Sequence, residues 1–235
     1  MRATDVVDLS AGGRRDIADP LAREAVRLYR RYQLEIVEAC GLCPWALRAR
    51  LDGKVRERVL PQSDGNDVST AVAAIHELVA DAEAEIALLI FPRIGLGRGE
   101  FEQFVGRVQD ADARAHPLGA IPFVFAAFHP DAAPDLSDPE RLVPFLRRTP
   151  DPTIQLLRAA AVDRVRAGTP QGTQFVDIRL LDADVAPPVP LRERSARTNL
   201  ATVNRMGVGQ MTARLDAILR DREATYRGLL DASLR

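Results

Sequence analysis

Ile86-Ala87-Leu88-Leu89-Ile90-Phe91 is the stretch on which the fold turns. A continuous apolar run of this kind reads as a strand buried on both faces. Upstream, residues 67–83 are amphipathic at helical spacing, and 55–60 reads as another strand. Downstream, 99–115 is helical through Phe101, Phe104, Val105 and Val108, and 121–128 is a further apolar strand. Strands alternating with helices at this interval imply parallel βαβ units with right-handed crossovers, and a sheet covered by helices. Residues 174–181 alternate well enough for a fourth strand. The expected fold is therefore α/β, with a mostly parallel four-stranded sheet, helices on its faces and a C-terminal helical tail.

Asp19-Pro20 pairs an N-cap with proline at the first helical position, and Ala25, Leu28, Tyr29, Tyr32, Ile36 and Val37 follow at helical spacing as far as Gly41. Cys43-Pro44 repeats the cap-then-proline pattern and opens a second helix through Trp45, Leu47 and Leu51, which would put Cys43 at a helix N-terminus. After the 121–128 strand come a Pro/Asp-rich loop to Pro139, a short helix to about Arg147, and a helix over 152–167. Pro187-Pro188-Val189-Pro190 is a rigid extended connection. Beyond it, 210–230 is an amphipathic helix that covers the sheet or the partner subunit of a homodimer. The expected organisation is a flexible N-terminal arm at 1–18, an α/β domain at 19–186, and a proline-rich connection with its C-terminal helix at 187–235.

Over 235 residues, 46% hydrophobic and 28% charged side chains are enough to build a core without staples. The 32 basic and 33 acidic residues leave a net charge of -1, which excludes partners that reward a basic excess: no nucleic acid and no membrane are expected. Lys54 is the sole lysine, so the basic residues are almost all arginine, a bias that belongs to composition before function. No run of 18 apolar residues occurs and no signal-type segment opens the chain, so the expected location is cytoplasmic. Two cysteines exclude a disulfide-rich architecture.

Four groups of residues can carry chemistry. Cys40-Gly41-Leu42-Cys43-Pro44-Trp45 places a cysteine beside proline at an expected helix start, where oriented N–H groups favour the thiolate. The plainer reading is two small buried residues. Zinc would need two more ligands from His76, His116 and His129, without the usual short spacing, so no metal is assigned. His76 and His116 read as exposed structural residues. His129 closes the 121–128 strand, the end at which open parallel sheets gather ligands, and suits a base, a metal ligand or a haem ligand, or else a strand-terminating polar residue. The loop from Pro92 to Gly99, with Arg93 and alternate glycines, can cradle an anion or simply connect strand to helix. Arg147-Arg148 and Arg158 offer guanidinium forks, against the alternative of a solvated helix surface.

Taken in order, Gly41-Leu42-Cys43-Pro44-Trp45-Ala46, Leu88-Leu89-Ile90-Phe91-Pro92, Ala127-Phe128-His129-Pro130-Asp131, Arg148-Thr149-Pro150-Asp151-Pro152 with Leu156-Leu157-Arg158 and Val162-Asp163, and Arg197-Thr198-Asn199 with Met206-Gly207 resemble an uncharacterised bacterial family, domain of unknown function 1415. The resemblance spans about residues 24 to 207. It implies that Cys43 is the family-type cysteine and Cys40 private to this chain, and it brings His129, Arg158 and Asn199 onto family motifs. Where it leads one to expect a histidine, this chain has Gln155, and the 92–99 loop has no family equivalent.

The function expected from these residues is that of a small-molecule enzyme: Cys43 as thiolate nucleophile or redox thiol, His129 as base or orienting partner, and Arg93, Arg148, Arg158 and Asn199 holding an anionic substrate. A haem- or metal-binding protein with Cys43 or His129 as ligand is the first alternative. A non-catalytic binding or scaffold protein is the second. No cofactor follows from the sequence.

Overall fold

A computed structural model of the chain describes residues 7–8, 19–43, 45–116, 121–168 and 191–232. The elements in chain order are β1 (Val7–Asp8), α1 (Pro20–Tyr32), α2 (Ala46–Leu51), β2 (Val55–Val59), α3 (Ser69–Ala80), β3 (Ile86–Ile90), α4 (Arg98–Ala115), β4 (Phe123–Phe128), α5 (Pro139–Leu146), β5 (Thr153–Arg158), α6 (Ala159–Gly168), α7 (Leu191–Met206) and α8 (Val208–Ala232). At the start of α1 the Asp19 carboxylate accepts the Leu21 N–H at 2.9 Å, and Pro20 fills the first turn. A π-helical turn, Gln33–Glu38, extends α1, and the chain then breaks at Gly41, whose φ of +64° is the left-handed conformation glycine accepts most readily. The next helix starts later than expected: α2 begins at Ala46 with Trp45 in the capping position, so Cys43 precedes the cap by two residues.

β3 sets the layers. All five of its residues are buried. Ile86, Leu88 and Ile90 pack with α1, α5 and α8 on one face, while Ala87 and Leu89 pack with α3 and α4 on the other. The period of two thus divides one apolar strand between two cores and makes a three-layer α/β architecture.

The sheet is mixed, which corrects the expected mostly parallel arrangement. Its order is β1-β2-β3-β5-β4; β2 and β3 are parallel, but β5 runs antiparallel to both β3 and β4, and β1 antiparallel to β2. The segment expected to be helical from Pro152 is this central strand, and the helix starts only at Ala159. The physical reason is the return path. Phe128 at the end of β4 lies opposite Thr153 at the start of β5, so residues 129–152 leave and re-enter at one end of the sheet, and only an antiparallel partner fits. Thr153-Ile154-Gln155-Leu156 then satisfies the facing backbone edges of β3 and β4 at once. The expected strand at 174–181 and the proline run at 187–190 lie outside the described residues.

α8 packs back on the domain. Its Asp221 receives Arg27 at 2.9 Å and Arg31 at 2.5 Å from α1. Arg222 and the Tyr226 hydroxyl, each at 2.7 Å, hold the buried carboxylate of Asp151 in the turn before β5. Among the described residues no helix is long and apolar enough to cross a membrane.

The two guanidinium groups hold the Asp221 carboxyl down at about 2. A carboxylate depressed in the folded state stabilises fully above its unfolded pKa near 4 and loses that stabilisation as the pH falls towards 2. Asp221→Asn should therefore lower stability by about 1 kcal/mol at pH 7, the modest size reflecting solvent screening. Urea unfolding as a function of pH should show the gap between wild type and variant closing between pH 4 and 2.

Candidate functional site

On the α1/α5 face the helices do not close fully over the sheet, and a cavity of about 800 Å³ remains. Its floor is a row across the strands: Leu88 of β3, Gln155 of β5 and Ala126 of β4 are neighbours in register. Leu88 is apolar, Ala126 is short and Gln155 is polar, so the centre of the floor presents an amide. Tyr29, Tyr32, Gln33 and Val37 from α1 and its π-helical turn form one wall, with Cys43 and Trp45 beside them. Arg147 at the end of α5 and Ser195 and Asn199 of α7 complete the lining. Most of the lining is aliphatic or aromatic, and the polar groups converge from separate elements, which is the usual composition of a small-molecule site.

Cys43 faces this cavity. Burial pushes its thiol up, and the N–H groups of Trp45 and Ala46 offset only part of that cost. Burial likewise raises Cys40, which lies in the apolar core, and both cysteines are free thiols. The phenols of Tyr29 and Tyr32 are also raised by burial, and Tyr32 donates its hydroxyl to the Leu146 carbonyl at 2.5 Å. The wall around Cys43 is therefore neutral, apart from the guanidinium of Arg147 stacked 5.2 Å above the Phe128 ring and the carboxylate of Glu140.

His129 does not join Cys43. Its ring packs 5.8 Å from Phe101 of α4, on the α3/α4 face, whereas Cys43 opens onto the opposite face. Nε2 lies 3.0 Å from the Leu96 carbonyl and Nδ1 accepts the Asp131 N–H at 3.1 Å. Those partners assign the proton to Nε2 and engage both ring nitrogens with backbone. The histidine pins the end of β4 to the loop before α4, the role of a strand-terminating polar residue.

Of the four residues expected to hold substrate, Asn199 alone lines the cavity. Arg158 donates to the carbonyls of Ala84, Leu78 and Asp81 at 2.6, 3.0 and 2.7 Å and stacks on Phe123, closing the end of α3. Arg148 donates to the Pro130 carbonyl and to Asp216, both at 3.0 Å. Arg93 is exposed in the loop after β3. Arg147 and Arg148 are adjacent in sequence, yet the first lines the cavity and the second staples α8 to the loop after β4. Gln155 and Ser195 are not among the site residues that the sequence points to. The signal for Gln155 is its place where the family resemblance leads one to expect histidine, and in the structure that position is the cavity floor.

The fold and cavity define an α/β protein with a pocket of small-molecule size between sheet and helices. The profile of the family described as "Protein of unknown function (DUF1415)" matches residues 25–178, about two thirds of the chain, and the protein belongs to that family. No curated protein and no solved structure matches it significantly. The matched region contains every cavity-lining residue named above except Ser195 and Asn199, which α7 adds from beyond it.

Two measurements test these assignments. In a Cys40→Ala background, iodoacetamide should alkylate Cys43 more slowly at pH 7.5 than it alkylates a free thiol. By mass spectrometry the rate should climb steeply only above the ordinary thiol range near pH 8.5. Arg158→Ala removes the guanidinium shared by the Leu78, Asp81 and Ala84 carbonyls and should cost about 2 kcal/mol in a denaturant titration, with no change in ligand binding to the cavity.

Proposed function

We propose that this protein binds a small organic molecule with a largely apolar body and one anionic end, in the cavity between the sheet and α1, α5 and α7. The observation that carries this reading is the lining: an apolar enclosure of about 800 Å³ with Arg147, Glu140, Gln155, Asn199 and Ser195 entering it from three elements. The apolar wall supplies affinity through buried area, and the guanidinium favours an anion at its end of the cavity. Gln155 on the floor and Asn199 of α7 can fix orientation through neutral hydrogen bonds, since an amide offers both donors and an acceptor. Cys43 is the nucleophilic side chain in the wall, so an enzymatic step would run through its sulfur. Such a step would not use His129 as base, because that ring lies across the sheet with both nitrogens bonded. Free thiols and a nearly balanced charge support a cytoplasmic location, with a small molecule rather than nucleic acid or membrane as partner.

Trp45 is the sole tryptophan and lines the cavity, so its fluorescence reports occupancy. Titration with 8-anilinonaphthalene-1-sulfonate, an apolar body with a sulfonate, should quench Trp45 saturably at one probe per chain. Ala126→Phe, which fills the floor, should weaken binding at least about tenfold, and Arg147→Gln should weaken it by several-fold, as loss of about 1 kcal/mol does. Unsaturable quenching, or binding that Ala126→Phe leaves intact, would overturn the reading. A Soret band on adding haemin that Cys43→Ser abolishes would replace it with the haem-binding alternative.

A further inference from the structure

On the other face of the sheet, α3 and α4 lie side by side and bring together three side chains that the cavity does not use. Asp112 lies in the last turn of α4, His116 is the residue that caps that helix and turns its ring back to Asp112, and His76 reaches them from α3. His116 Nε2 lies 3.2 Å from Asp112 Oδ1, and His76 Nε2 lies 3.9 Å from the same oxygen. The two imidazoles meet edge to face with ring centres 5.8 Å apart. One ligand atom from each residue falls within 4.8 Å of the others.

Asp112 is an exception among the buried acids. Elsewhere the abundant arginines neutralise them: Arg30 sits on Glu57, and Arg222 on Asp151. Asp112 is only 3% exposed, and among the described residues the ionisable side chains beside it are the two imidazoles. A buried carboxyl group with two imidazoles over it offers one oxygen and two ring nitrogens as ligands, and a divalent metal ion would use all three. Ligands at the usual zinc distances of about 2.0–2.2 Å stand about 3.4 Å apart in a tetrahedron, and the separations seen here reach that with side-chain rotations of about 1 Å.

We propose that His76, Asp112 and His116 form a site for a first-row divalent metal, Zn²⁺ by its ligand set, that clamps α3 to α4. Two histidines and one carboxylate leave a fourth position, which the half-exposed His76 side keeps open to water. The site lies across the sheet from the cavity and stands independently of the small-molecule reading.

The test is calorimetric titration of the chelator-stripped full chain with ZnCl₂ at pH 7.5, followed by thermal unfolding. One Zn²⁺ per chain should bind, and the unfolding midpoint should rise with zinc concentration. His76→Ala, a change on the exposed side that leaves the core untouched, should weaken binding at least about tenfold, and His116→Ala should do the same. Asp112→Asn keeps the shape and removes the charge, and should also weaken it. With Co²⁺ in place of zinc, the spectrum should lack a thiolate charge-transfer band. Absence of saturable binding overturns the proposal. So does zinc binding that survives His76→Ala and is lost in Cys40→Ser, because the metal would then sit on the cysteine pair.

Discussion

Two-sided burial of Ile86–Ile90 is the constraint from which the rest of the molecule follows. A strand with no solvent face must be covered above and below, and its alternate side chains feed two separate cores. α3 and α4 cover one face tightly with Phe101, Phe104 and Phe91 in edge-on or tilted ring contacts. The other face is covered by helices from distant parts of the chain, α1, α5, α7 and α8, which meet over it less completely. The cavity is the space left between them, and its floor is the place where the sheet offers Gln155 and Ala126 instead of large aliphatic side chains.

The arginine excess is resolved by where the guanidinium groups end. Arg30, Arg50, Arg222 and the pair Arg27/Arg31 each meet a carboxylate, and Arg158 meets three backbone carbonyls. These are planar, multidentate contacts for which lysine is a poor substitute. They tie surface helices to the sheet and fasten α8 over the turn at Asp151. Arg147, in turn, stacks over Phe128 and lines the cavity.

The chemistry on the two faces differs in kind. Around Cys43 the surroundings are apolar, and burial pushes the thiol and the Tyr29 and Tyr32 phenols upward. On the α3/α4 face a buried carboxylate sits beneath two imidazoles. His76 and His116 read from sequence as unremarkable surface residues, because one lies in an amphipathic helix and the other precedes a proline. Their meeting depends on the two crossover helices lying alongside each other, and no local pattern carries that information.

The α/β class, the strands β2, β3 and β4, the two crossover helices, the cap at Asp19 and the break at Gly41 are all legible in the residues, because each rests on local periodicity or on backbone preferences of single residues. The residues also carry the family, through short motifs in a constant order. The direction of β5 comes from long-range packing instead, since Thr153–Arg158 is short enough to suit a helix or a strand and is settled by the two open edges it enters. The same holds for the sites. Cys43 and Asn199 share a cavity, His129 faces away from it, and Arg147 rather than Arg148 reaches it. Which side of a sheet a residue occupies at the end of a strand, or which way it points at the end of a helix, is set by packing partners far away in the chain.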